Sequence, residues 1–299
     1  MSRIIRNKWA VGVPMVLATG MAVAQVGDFP IRAHWSEGVL TVTGTPRSDS
    51  VSIASISGLI EVNGGVVRIA GGLATLRNTR RIVISAGAGN DHIVFNEWQG
   101  PLPPAQIDGG DGADFISAGS GDDALRGGPG NDVLLGGRGN DSVEGQSGSD
   151  LLIVNNGDGS DFMDGGSGND RTQINGSPND DYIQLTPLDD SALLVRSSVG
   201  EVADLKIVDV EDVEVHAGEG RDTVITVTDS TISGNTAGLM IDGGLGNDFL
   251  AAGDGAAVLR GGGGNDTLLG GRGNDVIDGG AGRDRCAGGG GDDQVSNCE

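Results

Sequence analysis

The chain has 299 residues, of which 56 are glycine and only 3% are aromatic, so an ordinary globular core built on large side chains is excluded. Its 42 acidic residues against 19 basic ones leave a formal charge of −23. Nucleic acid and anionic membrane surfaces are therefore poor partners, and cations are good ones.

Residues 1–24 place Arg3, Arg6 and Lys8 ahead of an apolar stretch from Trp9 to Val23 that ends in Ala22-Val23-Ala24. That is the layout of a cleavable secretory signal with a small-x-small cleavage site. Cleavage after Ala24 is predicted, which takes the charge from −23 to −26 by removing three positive residues. The stretch is short and interrupted by Gly12, Pro14 and Gly20, which disfavours an uncleaved anchor. No second apolar segment reaches spanning length, so the mature protein is expected to be soluble and secreted, extracellular or periplasmic.

Residues 25–108 form a strand-rich leader in which "LTVTG", "IEVNGG" and "RIVISAG" largely alternate apolar and polar residues. It closes with a solitary nine-residue unit, "AGAGNDHIV" from Ala86. Residues 109–173 repeat that unit from Gly109, Ala118, Gly127, Gly136 and Gly145. After the insertion Val154-Asn155, where the register can restart, copies follow at Asn156 and Gly165. Residues 174–242 are a second leader ("ALLVRSS", "LKIVDVEDVEVHAG", "DTVITVTD") with a solitary copy at Ala217. Residues 243–299 hold copies from Gly243, Ala252, Gly261, Gly270, Gly279 and Gly288.

Across these 15 copies the fourth position is always glycine, the second is glycine in 14 and the sixth is aspartate in 14. A flexible linker does not keep such a register. One apolar residue at the eighth position, flanked by polar or small ones, is a strand too short to stand alone. The six residues before it form a turn whose glycines allow positive φ and let carbonyl oxygens converge. Two copies make an 18-residue coil, so each turn stacks on the turn two copies away at about 4.8 Å. Stacked aspartates at about 5 Å repel by roughly 3 kcal/mol at an effective dielectric of 20. The ladder therefore needs a cation, and an all-oxygen cage made largely by protein favours Ca²⁺ over Mg²⁺.

These residues resemble the hemolysin-type calcium-binding repeats of the RTX (repeats-in-toxin) family, G-G-x-G-x-D-x-U-x with U a large aliphatic. The resemblance implies an all-β parallel β-roll, or β-solenoid, with Ca²⁺ held between consecutive turns on each side by aspartate carboxylates and loop carbonyls. Carried over by position, the carboxylate ligands are Asp114, Asp123, Asp132, Asp141, Asp150, Asp161 and Asp170 in the first array, and Asp248, Asp266, Asp275, Asp284 and Asp293 in the second. Asp91 and Asp222, in the solitary copies, hold metal only if flanking turns supply partner oxygens. Ala257 departs from the pattern, so the site it shares with Asp275 is expected to be weak or empty. Five unbroken copies imply three well-defined sites and six imply four.

A larger duplication aligns "GTPRSDSVSI" from Gly44 with "GSPNDDYIQL" from Gly176, and "IVISAGAGNDHIV" from Ile82 with "VEVHAGEGRDTVI" from Val213. The mature chain is thus two tandem units, each a leader followed by a roll, the leaders forming wider solenoid turns or a small capping sheet. Export makes Cys286 and Cys298 a disulfide that closes the end of the stack. RTX proteins exported by type I machinery usually carry an uncleaved C-terminal signal and lack cysteine, so the resemblance points here to export through the N-terminal signal.

Catalytic patterns are missing from the sequence. Histidines number three, His34, His92 and His216, and there is no H-E-x-x-H, G-x-S-x-G or G-x-x-x-x-G-K-[ST]. The expectation is a non-enzymatic, secreted calcium-binding protein whose metal is structural and whose role is scaffolding, adhesion or matrix interaction, with a cell-surface or matrix polysaccharide as a further partner. The alternative is a carbohydrate-active enzyme or its accessory module, which would show a shallow groove with clustered arginine or aromatic residues; Trp35, Trp98 and Tyr182 are its main candidates.

Overall fold

The computed structural model describes residues 30–188, 192–197, 203–227 and 238–299. The predicted secretory signal lies outside them. Within each copy the residues after the aspartate extend into strand, as in Phe115–Ser117 and Val133–Leu135, and in the first sheet several of these strands run on into the first glycines of the next copy, as in Ser142–Gly148. The eighth residue turns inward, and Ile116, Leu125, Leu134, Val143, Leu152 and Met163 are at most 1% exposed. Each such burial contributes roughly 1.5–3 kcal/mol, too little to order one copy, so stability accrues only by stacking.

Stacking follows the 18-residue step. Val133 lies beside Phe115 on one side and Leu151 on the other. Ala124 lies between Gln106 and Ser142 in the opposite sheet. Successive copies alternate between a first sheet of 15 strands and a second of 12, both parallel throughout the arrays, with the apolar columns facing each other between them. Among the described residues there is no α-helix, and no helix long and apolar enough to cross a membrane.

The register does not restart at Val154-Asn155. Ser142 pairs with Phe162 and Leu151 with Arg171, twenty residues on. The extra residues are taken up in a turn where the Asp158 carboxylate accepts from the Asn155 backbone N–H at 2.7 Å. A surplus that closes on its own hydrogen bonds leaves the neighbouring coils in place.

Both leaders feed strands into the same two sheets. Val39–Thr43 and Arg81–Ala88 stand in the first sheet, and Ser50–Ile56 and His92–Asn96 in the second. In the second leader the roles exchange: Tyr182–Pro187 and Thr223–Thr226 belong to the first sheet and Asp212–His216 to the second. An odd number of half-coils separates Gly44 from Gly176, so equivalent turns fall on opposite edges of the stack. Each leader adds an antiparallel hairpin, Ser50–Ile56 with Leu59–Val62 and Tyr182–Pro187 with Ala192–Ser197. In the second, Ala203–Val208 then joins the hairpin to Phe162–Gly168 of the preceding array.

At the far end Cys286 continues the inward column beside Leu268 and is disulfide-bonded to Cys298, with Cα atoms 5.8 Å apart.

Candidate functional site: two carboxylate ladders

The turns stack so closely that glycine is favoured at two positions, although Gln146 takes the second in one copy at φ 82°. Gly128 and Gly130 have φ of 117° and 150°, and a Cβ on either would run into the carbonyl oxygen of Gly110 or Gly112 one coil back. Removing the side chains lets the backbone carbonyl oxygens of consecutive turns approach the next turn closely along each edge.

Aspartate at the sixth position then links the coils. On the edge leading from the first sheet to the second, each backbone N–H donates to Oδ1 of the next rung. These bonds run Asp49 to Asp91 at 2.6 Å, Asp91 to Asp114 at 2.7 Å and Asp114 to Asp132 at 2.7 Å. Asp132 to Asp150 and Asp150 to Asp170 follow, both at 2.8 Å. The opposite edge runs Asp123 to Asp141 to Asp161, both bonds at 2.8 Å. In the second unit it runs Asp181 to Asp222 to Asp248, both at 2.8 Å, and on to Asp266 and Asp284 at 2.9 Å. Asp275 accepts from Ala257 at 2.9 Å and donates to Asp293 at 3.0 Å, so the rung at residue 257 brings no carboxylate.

The second carboxylate oxygen is the one that calls for a ligand. Oδ2 of Asp91, Asp114, Asp132, Asp141, Asp150, Asp170, Asp222, Asp248, Asp266, Asp275 and Asp284 is buried without any hydrogen-bond partner. It faces the bare Cα of the turn's first glycine together with a carbonyl of the next turn: a Cβ on Gly109 would lie 2.7 Å from the Gly127 oxygen and against Asp114 Oδ2. Oxygen meets oxygen there with no donor between them. Repeated orphaned acceptors of this kind cost about 1–3 kcal/mol each or more when charged, and a hard cation is the group that fits them.

Electrostatics agree. Burial, reinforced by the neighbouring rungs Asp150 and Asp114, pushes Asp132 up to about 7. Burial and the charges of Asp161, Asp123 and Asp158 push Asp141 to about 8. Asp91, Asp123, Asp150, Asp161, Asp222 and Asp248 are raised to about 6, again chiefly by burial. Without positive charge beside them these carboxylates resist ionising together.

The solitary copies prove to be stacked: Asp91 lies between Asp49 and Asp114, and Asp222 between Asp181 and Asp248. Asp49 and Asp181 went unnoticed in the sequence, although "GTPRSD" and "GSPNDD" keep the first glycine and sixth aspartate. One glutamate takes a rung of the ladders and another stands beside Asp123. Glu211 accepts from Asp170 N–H at 2.6 Å, and Glu97 accepts from the N–H groups of Leu102 and Ser120 at 2.6 and 3.0 Å. A second ladder runs the other way through the fifth position, where Asn131 accepts from Ser149, Asn247 from Asn265 and Asn265 from Arg283 at 2.7–3.0 Å. The recurrent G-N-D tripeptide was its signal.

The family model of the RTX calcium-binding nonapeptide repeat (4 copies) matches residues 106–134, 126–158, 157–172, 240–259 and 260–295. No curated protein matches the chain. The matched segments coincide with the regular stacked turns and most of their orphaned carboxylates, and residues 106–172 and 240–295 therefore carry RTX calcium-binding nonapeptide repeats, a repeat type that binds Ca²⁺ and builds a parallel β-roll.

Proposed function

We propose that this is an exported calcium-binding scaffold protein, non-catalytic, in which the metal folds and stiffens the roll for attachment to a cell surface or matrix. The observation that carries the reading is the row of eleven buried, unpartnered aspartate oxygens. Calcium supplies the positive charge they lack. The residues proposed to hold it are Asp91, Asp114, Asp132, Asp150 and Asp170 on one edge; Asp123, Asp141 and Asp161 on the other; and Asp222, Asp248, Asp266, Asp275, Asp284 and Asp293 in the second unit. Their carboxylates hold the ions, Oδ1 fixes the spacing of the coils, and the inward aliphatic column keeps the turns dry. Extracellular sites of this type have affinities around 10⁻⁴–10⁻³ M, which suits a chain that is unfolded during export and folds outside.

A polysaccharide partner is supported by a groove of about 400 Å³ between the Glu97–Pro101 loop and the turns carrying Ser120, Arg138 and Asp158. Trp98, 88% exposed, sits on that same loop. Native mass spectrometry of the mature protein in millimolar calcium tests the reading. An ion series beyond seven, with Gln25 as the first residue of protein recovered outside the cell, is expected; a metal-free mass overturns it.

A further inference from the structure

The two turns that open the units satisfy their aspartates with both a backbone N–H and a side-chain hydroxyl of the turn's second residue; among the described regular turns Asp123 shares the N–H, from Gly119 at 3.3 Å, and no aspartate shares the hydroxyl. Asp49 Oδ2 accepts the Thr45 backbone N–H at 2.6 Å, and Oδ1 accepts the Thr45 hydroxyl at 3.1 Å. The same hydroxyl oxygen accepts the Arg47 N–H at 3.2 Å. On the opposite edge, and 132 residues later, Ser177 repeats the arrangement: its N–H donates to Asp181 Oδ2, its hydroxyl donates to Oδ1 at 3.2 Å, and its oxygen accepts the Asn179 N–H at 3.1 Å. Asn156 Nδ2 adds a further donor to Asp181 at 3.1 Å. Neither Asp49 nor Asp181 has an orphaned oxygen.

Backbone conformation accompanies the difference. Most regular turns hold their second and fourth residues at left-handed φ, as at Gly110 and Gly112 (100° and 132°) or Gly244 and Gly246 (88° and 150°); Gly119 and Gly121, and the fourth-position Gly255 and Gly273, do not. No residue of 44–49 or 176–181 has a positive φ. Pro46 and Pro178 hold the preceding Thr45 and Ser177 in extended backbone, which turns the N–H, rather than a carbonyl, toward the aspartate.

We propose that residues 44–49 and 176–181 are calcium-independent starter turns, in which protein N–H and O–H groups take the place of the cation and give each unit an ordered first rung on which the calcium-dependent turns stack. Thr45 and Ser177 are positioning residues in this scheme. The inference rests on the reading of the arrays as calcium-binding and divides the aspartates by role: Asp49 and Asp181 are hydrogen-bond acceptors, and Asp91, Asp114, Asp222 and Asp248 face ions.

Asparagine separates the two roles, because its Oδ1 still accepts the Thr45 or Ser177 N–H while its Nδ2 donates to the hydroxyl oxygen. The mature full chain is compared in EGTA and in CaCl₂ by amide hydrogen exchange and native mass spectrometry. In EGTA the amides of Thr45, Arg47, Ser177 and Asn179 are expected to exchange at least about tenfold more slowly than those of Gly110 and Gly128. The double variant Asp49→Asn with Asp181→Asn is expected to keep the native number of calcium ions, whereas Asp114→Asn loses ions. Thr45→Val should abolish the protection at Arg47 and Thr45→Ser should restore it. Loss of ions in the double variant, or exchange at the four amides as fast as at Gly110 and Gly128, overturns the starter turns alone. A native chain that takes up no calcium overturns the functional reading and the starter turns together.

Discussion

Replacing Asp132 by alanine removes two things at once. Its Oδ1 accepts the buried Asp114 N–H at 2.7 Å, and its Oδ2 is one of the buried, unpartnered oxygens. Asp132 keeps its own N–H bond to Asp150, 2.8 Å away, so the coil above stays tethered. A hydrogen bond to a charged group contributes about 1.5–3 kcal/mol, so the gap Asp114–Asp132 should weaken toward calcium by roughly 10- to 150-fold, and the gap Asp132–Asp150, which loses only the Oδ2 ligand, should weaken as well. The gap Asp123–Asp141 lies on the opposite edge and shares no ligand with Asp132, so it should be unchanged. Calorimetric calcium titration gives the lost affinity, and amide chemical shifts of Asp114, Asp123 and Asp132 assign it to edges. Asp132→Asn keeps the acceptor and removes the charge, which divides the two contributions. Equal loss on both edges, or none, refutes the two-sided stacking on which the argument rests.

Acid should act in the opposite sense to ordinary acid denaturation. The ladder aspartates are raised in the metal-free roll, chiefly by burial, to about 6 at Asp91 and Asp150, 7 at Asp132 and 8 at Asp141. The folded chain therefore binds protons more tightly than the unfolded one, and the stability this contributes is full below about pH 4 and lost as pH rises through 6 to 8. Chelated protein should gain β-structure by circular dichroism between pH 8 and 5, while the calcium midpoint moves to higher concentration; loss of structure on acidification would contradict this. Thr172 stands in the inward column at 0% exposure with its hydroxyl unpartnered, so Thr172→Val should raise stability by about 1 kcal/mol in denaturant titration of the calcium form. Gly128→Ala forces a methyl against the Gly110 carbonyl at φ 117° and should cost about 1–3 kcal/mol in the same assay.

The repeat was legible because its physics is local. Asp132, Leu134 and Gly130 announce their roles by period alone, and the 18-residue pairing follows from two copies per coil. The exchange of sheets between the units was hidden, because it depends on how many half-coils lie between Gly44 and Gly176, and the leader hairpins and the loop after Asn96 change that number without a periodic signal. Asp49 and Asp181 were missed for a related reason: threonine or serine and proline replace the glycine-rich pattern by which a turn is recognised, though the aspartate keeps its place in the stack. Glu211 joins a ladder and Glu97 comes beside Asp123 from segments that carry no repeat, so only three-dimensional proximity reveals them. Thr172 takes the eighth position in place of an aliphatic residue, and the fold buries it all the same, since the register is set by its neighbours Leu152 and Val213.

The central claim is that calcium binding and folding of the roll are one event. Far-ultraviolet circular dichroism of the mature protein, followed from chelator to about 10 mM Ca²⁺ at pH 7.5, tests it most directly. The account predicts a weakly structured spectrum in chelator that converts cooperatively to a β-sheet spectrum, reversed by adding chelator back. A spectrum that is already fully β-sheet without calcium and does not change on titration would contradict it.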